Sequence, residues 1–340
     1  MASHQNASNY FMNTNSNISK LNCVFCGNPL SVPVLANISA NGIICNLSEC
    51  PDCEIGMVHP FPSDQKLATL YSTGNYRADG GTRFNFLVEY LIYLGSVVKR
   101  KRIEKYARKG KILDVGCGRG LFMDIMRQGG WEAEGSELNK ETASYAEQAY
   151  DLKVYPGNIT DHSLAPASFD TVNVCGVLEH LKEPDEVLTE CHKLLKNDGL
   201  LVVLVPDIRS FEFKLGKENW FHLDLPFHLF HFSEKGLIQL LQKKGFKIKR
   251  VKRFHLEYSP FGWLQTLLNL SKIKFNLFYD LLKSGNLRGE KMEEVKSKDI
   301  FATLILLPIY FPLAFLFSIL EPILFQRGGI IQVYASKETI

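Results

Sequence analysis

The segment that decides the fold is ILDVGCGRG, residues 112–120. Its first residues predict the end of a strand, and the apolar spacing after Gly120 predicts the start of a helix. Three glycines at alternate positions let the backbone turn tightly and lie against a ligand with no Cβ in the way. The spacing is GxGxG and not the GxGxxG of dinucleotide-binding proteins, so this turn does not require a bound pyrophosphate.

Residues 110–253 alternate short apolar runs with longer helical patterns. Such alternation predicts an α/β fold in which a mostly parallel sheet is covered by helices on both faces. Ligands on such sheets bind at the carboxyl ends of the strands. The predicted strands are 111–115, 132–136, 153–155, 171–175, 200–205, 246–251 and, near the end of the chain, 329–337; the clearest helices are 185–195 and 234–244.

An acidic residue, Glu137, follows the second of these strands. A carboxylate beside the glycine turn can accept hydrogen bonds from both hydroxyls of a ribose. The alternative is a strand-to-helix turn that needs glycine for its geometry alone and binds nothing. Because the loop and the acid occur together, ligand binding is favoured.

Several further motifs follow the glycine loop in order along the chain. FDTVNVCGVLEH, residues 169–180, matches a pattern usually written FDxVxxxxVLEH, and LLKNDG, residues 194–199, is similar to an LLKPGG turn. With ILDVGCGRG, these motifs resemble those of the class I S-adenosylmethionine (SAM)-dependent methyltransferases over residues 110–253 and the last strand. The resemblance implies a Rossmann-like, seven-stranded sheet and SAM as the methyl donor.

The resemblance also implies which residues hold the donor. The glycine loop approaches the amino acid part of SAM, Asp114 orders that loop, and residues 136–138 bind the ribose. Residues 157–159 fall where the family contacts adenine, and Asn158 stands where Asp is frequent. The implied cofactor-binding residues are Asp114, Gly116, Cys117, Gly118, Gly120, Glu137, Leu138, Asn158 and Ile159.

Histidines lie at two places on the predicted ligand side of the sheet. His180 follows the fourth strand, and residues 220–233 resemble the PxHLxxFS segment of methyltransferases that act on sugars. A histidine whose pKa is near neutral suits removal of a proton from a hydroxyl acceptor. The candidate catalytic bases, in order of preference, are His228, His180 and His222. Asp224 could orient one of them, and the alternative role is to hold loops in place by hydrogen bonding.

Four cysteines near the N-terminus form two CxxC pairs, and together they predict a tetrahedral thiolate site for structural zinc. The pairs are Cys23 with Cys26 and Cys50 with Cys53. Cys45 could substitute for one ligand. A redox-active CxxC is the alternative, but no thioredoxin-like strand and helix surround either pair. The segment resembles the zinc-ribbon leader of a bacterial methyltransferase group often found near glycan biosynthesis, although that group has Gly where this chain has Glu54.

Composition and charge bound the remaining alternatives. The chain has 340 residues, is 46% hydrophobic and carries a net charge of +3, which indicates an ordinary globular protein and does not favour a bulk electrostatic nucleic-acid binder. The N-terminus has neither the basic nor the apolar part of a signal peptide, so a cytoplasmic location is expected. We divide the chain into a disordered tail (1–20), a zinc-ribbon module (21–60), a helical connector (61–109), the SAM-binding core (110–253), a hydrophobic helical insertion (254–328) and the final strand of the core (329–340).

The insertion contains an uncharged stretch, residues 300–320, that is long enough to span a bilayer. A single crossing is incompatible with flanking strands that belong to one sheet, and two crossings would need the charged segment 261–282 as the second span. A helix lying in the interface at the inner membrane is therefore expected, with a buried helical cap or a dimer surface as the alternative. Two basic runs, 99–111 and 247–253, are either solvated surface or contacts to anionic lipid.

These features predict a SAM-dependent O-methyltransferase for a small-molecule, sugar or lipid-linked acceptor, with a sugar hydroxyl at the inner membrane face as the first choice. Methylation of a quinone or other lipid, or of rRNA, is the alternative among enzymes. RNA is disfavoured because residues 173–178 lack the NPPY pattern used for exocyclic amines, and no aromatic and basic single-strand platform is obvious. A membrane-associated scaffold that binds SAM without catalysis is the non-enzyme alternative.

Overall fold

The computed structural model describes residues 21–63, 65–67, 69, 84–283 and 295–338. The predicted tail and parts of the predicted connector and insertion lie outside the described residues. In chain order the strands and α-helices are β1 (Pro33–Ala40), β2 (Ile43–Glu49), β3 (Gly56–His59), α1 (Phe86–Ile103), β4 (Lys111–Val115), α2 (Leu121–Gln128), β5 (Glu132–Glu137), α3 (Lys140–Tyr150), β6 (Lys153–Pro156), β7 (Phe169–Cys175), α4 (Pro184–Leu194), β8 (Leu195–Pro206), α5 (Phe211–Gly216), β9 (Phe230–His231), α6 (Glu234–Lys243), β10 (Phe246–Lys252), α7 (Ser259–Leu270), α8 (Leu277–Leu282), α9 (Ser297–Phe325) and β11 (Ile330–Lys337).

The larger sheet has seven strands in the order β10-β11-β8-β7-β4-β5-β6. Strands β4 to β8 pair in parallel with one another, whereas β11 pairs antiparallel with both β8 and β10. Every strand predicted from residue 111 onward is present, and the largest difference is at β8, which begins at Leu195. The predicted α/β fold with a mostly parallel sheet is confirmed.

The central strand β8 shows why continuous apolar runs in the sequence predicted the strands of this sheet. Leu201, Val202 and Val203 have no exposed surface, although their side chains point alternately to the two faces of the sheet. A strand covered by helices on both faces is apolar at every position and does not alternate. The core therefore lies on both sides of β8, and the polar residues collect at the strand ends.

A second sheet carries the cysteine pairs and has the order β1-β2-β3-β9. Its last strand has only two residues and comes from the segment predicted to carry the histidines, where it pairs antiparallel with β3. The ring of Phe25 packs edge-on against that of Phe230, with centroids 5.1 Å apart. The cysteine-bearing sheet is therefore built onto the histidine segment of the core.

Helix α1 forms within the predicted connector, but its apolar face does not pack against the core. The exposed side chains on this face are Leu87, Leu91, Leu94 and Val98. The basic run fixes the helix instead: Arg100 donates to the backbone oxygen of Ile125 (2.9 Å), and Arg102 pairs with Glu257 (3.0 Å). These two basic residues are structural ties and not part of a solvated run.

The described residues of the predicted insertion include α7, α8 and α9. Helix α9 has 29 residues and, among the described residues, is the one helix long and apolar enough to cross a membrane. Strands β10 and β11, which flank the insertion, pair with each other, so a single crossing between them is excluded. Residues 261–282, the second span that two crossings would need, are divided between the largely buried α7 and the six-residue α8.

Helix α9 packs on the apolar cluster of α7 and is also hydrogen-bonded to the globular body near its C-terminal end. The Glu321 carboxylate accepts hydrogen bonds from the backbone N–H of Phe211 (2.5 Å) and the indole N–H of Trp263 (3.1 Å). The buried residues of the helix are Thr303, Ala314, Ser318 and Glu321. Most of its apolar side chains face outward, so α9 is not a buried cap.

Candidate functional site

The glycine loop leads from β4 into α2 through a backbone that L-residues rarely adopt. Gly116 has a φ of 70°, and a Cβ there would collide with the side chain of Val177. Gly118 has a φ of 56° and faces open space on the side where a Cβ would stand. Gly120 is the N-cap of α2. The loop therefore presents bare backbone at the carboxyl end of the sheet, where a ligand can approach it closely.

Two carboxylates support this loop. Glu137 accepts hydrogen bonds from the backbone N–H groups of Gly118 and Asn139, each at 3.0 Å, and so ties the loop to the end of β5. Asp114 accepts a hydrogen bond of 2.5 Å from the side-chain amide of Asn173 on β7. The predicted Asp114 and Glu137 thus lie on either side of the glycine turn, both buried.

The other predicted cofactor-binding residues differ in whether their side chains are buried or exposed. The side chains of Cys117 and Ile159 are buried in apolar clusters, so only their backbone atoms can contact a ligand. Leu138 is exposed at the end of β5, where its side chain could cover an aromatic base. The N–H of Asn158 donates to the Asp161 carboxylate at 3.0 Å, so an acid stands beside this neutral position.

Sequence patterns did not identify Lys99, which reaches the site from α1. Its ammonium lies 3.9 Å from the centre of the Phe122 ring and close to Cys175 and Asp114. Although burial opposes the effect, Cys175 and Asp114 raise the pKa of Lys99 above its ordinary value. A positive charge therefore stands beside the acid under the glycine loop. In the sequence Lys99 is one of several consecutive basic residues, and no local pattern distinguished it from its neighbours.

His180 and His228 come together beyond the carboxyl end of β7. Their ring centroids are 4.6 Å apart and the rings are nearly perpendicular. Each Nδ1–H donates to a backbone carbonyl: His180 to Phe227 (3.1 Å) and His228 to His222 (2.9 Å). Because a carbonyl only accepts, the Nε2 atom of each neutral ring carries the lone pair. In His228 this lone pair belongs to the nitrogen that faces away from the carbonyl of His222.

Two carboxyl groups face His228. Its Nε2 lies 4.0 Å from Oε1 of Glu179 and 3.8 Å from Oδ2 of Asp224. Burial raises the pKa of Glu179 to about 8, so this carboxyl group is largely protonated at neutral pH. Burial, together with His180 and His231, lowers the pKa of His228 well below its ordinary value. The His228 ring is therefore neutral at neutral pH and keeps its Nε2 lone pair, but its pKa lies below the near-neutral value expected from the sequence, which makes the free ring a weaker base.

The third predicted base, His222, is turned away from this pair. Its Nε2 lies 3.9 Å from Oε1 of Glu212 and has no hydrogen-bond partner among the described residues. Burial lowers the pKa of His222 to about 3. The backbone oxygen of His222, rather than its ring, acts at the candidate site by fixing His228.

The buried carboxyl group of Glu212 makes the stability of the protein depend on pH. Burial raises the pKa of Glu212 to about 8 from an ordinary value of 4.5. Between these pH values the folded protein holds a proton that the unfolded chain has released, so the free energy of unfolding falls as pH rises. Glu212→Gln keeps an acceptor for the Thr266 hydroxyl, which donates to Glu212 at 3.0 Å. In the wild type we expect this group to lower the free energy of unfolding by on the order of 2 kcal/mol between about pH 6 and pH 9. The Glu212→Gln variant should not show this part of the decrease.

Urea unfolding of the wild type and of Glu212→Gln at both pH values measures this effect. Glu218→Gln, at an exposed position close in sequence, is the control and should leave the pH dependence unchanged. The same pH dependence in Glu212→Gln and in the wild type would contradict the role given to the buried carboxyl group.

The four predicted cysteines converge on one point. The Sγ atoms of Cys23 and Cys53 are 3.5 Å apart, those of Cys26 and Cys50 are 3.4 Å apart, and all four lie within 4.8 Å of one another. A tetrahedral zinc ion with Zn–S bonds of about 2.3 Å has sulfur atoms about 3.8 Å apart, so the donors and their spacing fit zinc. Cys45 lies outside this group, with its Sγ 3.7 Å from the backbone oxygen of Ile38.

Both CxxC pairs adopt the same turn. The N–H of Gly27 donates to the oxygen of Cys23 (2.8 Å), and the N–H of Glu54 donates to the oxygen of Cys50 (3.0 Å). Glu54 has a φ of 55°, the left-handed conformation that Gly27 adopts at 80°. A non-glycine residue there costs about 1 kcal/mol, but the turn is the same. The departure from glycine at Glu54 therefore does not disturb the second pair.

Comparison with known proteins supports the resemblance to methyltransferases that the sequence motifs indicate. A methyltransferase domain family matches residues 92–251. A ubiquinone biosynthesis O-methyltransferase of Cereibacter sphaeroides is 30% identical over 168 residues, which are 46% of this chain and 67% of the relative. A protein of Mycolicibacterium smegmatis named "Probable S-adenosylmethionine-dependent methyltransferase" is 26% identical over 139 residues, which are 41% of this chain and 52% of the relative. The chain thus spans between about half and two thirds of the length of these relatives.

The fold has a counterpart among solved structures. The crystal structure of the cyclase SpnF superposes with a TM-score of 0.51 at 15% identity and covers 82% of this chain and 98% of that chain. At this identity the likeness concerns the fold alone. Because the Cereibacter relative is matched over two thirds of its length and the methyltransferase domain family matches the sheet that carries the glycine loop, the chain belongs to the class I SAM-dependent methyltransferases and is an enzyme of that type.

Proposed function

We propose that the enzyme transfers a methyl group from SAM to a hydroxyl group of a sugar or lipid-linked glycan at the cytoplasmic face of the membrane. The observation that carries this proposal is His228, which packs against His180 and whose Nδ1–H donates to the backbone oxygen of His222, so that its Nε2 is a proton acceptor. A hydroxyl acceptor must lose a proton when it is methylated, and a positioned imidazole can take it. His180 follows Val177 by three residues, and the side chain of Val177 lies against Gly116 of the glycine loop, which supports a place for the pair near that loop.

Each group of the site has a distinct role in this reaction. When bound, SAM supplies an electrophilic methyl group at a sulfonium centre. The glycine loop and Glu137 hold the donor, and the enclosed histidine pair holds the acceptor oxygen close to it. The acceptor oxygen would gain the methyl group as the sulfonium C–S bond breaks and S-adenosylhomocysteine leaves, and Nε2 of His228 would take the proton of the hydroxyl. Asp224, 3.8 Å away, then stabilises the imidazolium that forms.

The exposed helix α9 supports an acceptor carried by a lipid. Its apolar side chains are largely exposed, its flanking strands lie in one sheet, and a helix lying in the interface satisfies both facts. Such a helix would keep the enzyme at the bilayer, where a lipid-linked glycan is presented. A lipid quinone is the second candidate acceptor, favoured by the ubiquinone biosynthesis O-methyltransferases among the relatives.

We further propose that the four-cysteine cluster holds structural zinc. The donors are Cys23, Cys26, Cys50 and Cys53. Four thiolates leave no open coordination position, which is the pattern of a structural and not of a catalytic site.

The acceptor class is tested by transferring labelled methyl groups from SAM with the purified enzyme into a membrane extract. The extract is then separated into lipid-linked glycans, nucleotide sugars, quinones and RNA. Label in the lipid-linked glycans or in the nucleotide sugars supports the first proposal, and label in the quinones supports the second. Label in RNA alone would overturn both, and no label despite bound SAM would favour a scaffold without catalysis.

Lys99 should contribute to binding of the donor through the carboxylate of its amino acid part. A charge-assisted hydrogen bond of this kind is worth about 1.5–3 kcal/mol, so we expect Lys99→Met to raise the Kd of SAM by about 10- to 100-fold. Calorimetric titration measures the Kd, and 5′-methylthioadenosine, which lacks the carboxylate, should bind the wild type and the variant alike. Lys101→Met, at an exposed position of the same helix, is the control. Equal loss of affinity for both ligands would show that Lys99 only supports the fold.

A further inference from the structure

The N-terminal half of α1, residues 86–94, presents an apolar surface that the described residues leave largely exposed. Phe86, Leu87 and Leu91 expose 86%, 65% and 56% of their surface. Further exposed apolar side chains on the same helix are Tyr90, Ile92, Tyr93, Leu94 and Val98. A single exposed leucine is ordinary, whereas a contiguous apolar patch marks an interaction site.

Helix α1 is nonetheless held at both ends. Before its first turn, the backbone N–H of Asn85 donates to the oxygen of Leu282 (3.2 Å), and the ring of Phe84 meets that of Tyr279 edge-on, with centroids 5.8 Å apart. At its other end, Ile103 is fully buried. A helix fixed at both ends and bare between them is a defined surface and not a frayed segment.

Helix α8 connects this surface to the exposed face of α9. Tyr279 of α8 contacts Phe84 just before α1, and its neighbour Phe278 packs on the cluster around Trp263. Ala302 and Leu306 of α9 pack on the same cluster. Helix α8, which holds the start of α1, and the first half of α9 therefore pack on the same cluster of α7, and a helix is about 10 Å across. The two apolar faces are close enough to meet one extended surface together.

Exposed cations border both faces. Lys101 and Lys105 follow the apolar part of α1, and Lys296 and Lys298 stand at the start of α9. Apolar faces edged by lysine are typical of helices that lie in the headgroup region of anionic membranes. In a symmetric pair of chains the same lysines would be brought towards one another. The charge pattern therefore favours an anionic bilayer over a second copy of this chain.

We propose that α1 is a second membrane-contact element and that α1 and α9 lie together on an anionic lipid bilayer. This inference rests on the proposed action of the enzyme at a membrane. Helix α1 also carries Lys99 at the donor site, eight residues after Leu91, which corresponds to about 12 Å along a helix. The same helix would thus connect the bilayer surface to the glycine loop, and a lipid-linked acceptor would leave the bilayer by only a short distance.

Introduced tryptophans test which surfaces touch lipid. The native Trp131, Trp220 and Trp263 are buried, so a new surface tryptophan reports on its own surroundings. Leu91→Trp marks α1 and Ile305→Trp marks α9. Ile44→Trp, on the exposed side of β2, is the control. Each variant is mixed with vesicles of phosphatidylcholine and phosphatidylglycerol whose acyl chains are brominated, and quenching of its fluorescence is measured.

We expect strong quenching at positions 91 and 305 and little at position 44. Quenching at 305 without quenching at 91 would overturn the role of α1 while leaving the proposed membrane contact of α9 in place. Quenching at neither position would overturn both. Quenching of all three variants alike would indicate nonspecific adsorption and would also overturn the inference.

A second variant separates lipid contact from self-association. Leu87→Asp combined with Leu91→Asp should weaken binding to the anionic vesicles at least tenfold, with the Kd of SAM unchanged as the check on folding. Light scattering should give the same mass in solution for the wild type and the variant. A wild-type dimer that this variant converts into a monomer would assign the α1 surface to a second copy and overturn the inference.

Discussion

Replacing His228 with Asn is expected to lower kcat by about 10²- to 10⁴-fold while the Kd of SAM stays within about twofold. The Asn side-chain amide can still donate to the backbone oxygen of His222, as Nδ1 does at 2.9 Å, but nothing replaces the lone pair on Nε2. The variant therefore keeps the local structure and loses the proton acceptor. Initial rates with the acceptor found by labelling, together with calorimetric titration of SAM, measure both quantities.

Chemical rescue distinguishes a base from a positioning residue. Added imidazole should restore part of the activity of His228→Ala, because the removed ring leaves a space beside Glu179 and His180. His192→Asn is the control, since His192 packs against Phe246, away from the candidate site. An unchanged kcat in His228→Asn, or a loss that parallels weaker SAM binding, would contradict the assignment.

Replacing Cys50 and Cys53 together with Ser is expected to reduce bound zinc from about one per chain to none. Methyl transfer should fall at least tenfold while the affinity for SAM changes little. The reason is that β9 pairs with β3, next to the second CxxC pair, and Gly236 at the start of α6 packs directly on the backbone oxygen of Cys53. Structural zinc supplies much of the folding free energy of small modules, so its loss releases the segment that positions His228.

Metal analysis by mass spectrometry and rate measurements on the same preparations test this prediction. Cys45→Ser is the matched control, because Cys45 is buried in the same sheet but lies outside the four-sulfur cluster. It should keep its zinc and most of its activity. A double variant that loses zinc and retains full activity would show that the cysteine-bearing sheet does not position the histidine pair.

The sequence predicted most of the larger sheet because its strands are buried on both faces. Continuous apolar runs such as β8, and helical spacing between them, are strong local signals that survive in any context. The turn at residues 112–120 was equally predictable, because the φ angles of Gly116 and Gly118 require glycine whatever surrounds them. The CxxC pairs followed from the chemistry of thiolates and needed no knowledge of the fold.

Other features depend on tertiary contacts that no local pattern encodes. Strand β9 has only two residues, too few for any periodicity, and exists because β3 offers an unpaired edge. Lys99 differs from its basic neighbours in the sequence because the direction of α1 brings its ammonium close to Asp114 and Cys175. The sequence ranked His228 above His222 as a candidate base, but only the fold shows that His228 turns towards His180 and His222 towards Glu212.

We infer that the donor site of this methyltransferase is built from the 112–120 loop and Glu137. Calorimetric titration of SAM into the wild type and into Glu137→Ala tests it most directly, with Glu141→Ala at an exposed position of α3 as control. We predict one SAM per chain for the wild type and for the control, and at least tenfold weaker binding for Glu137→Ala. No binding to the wild type, or equal binding to all three proteins, would contradict the claim.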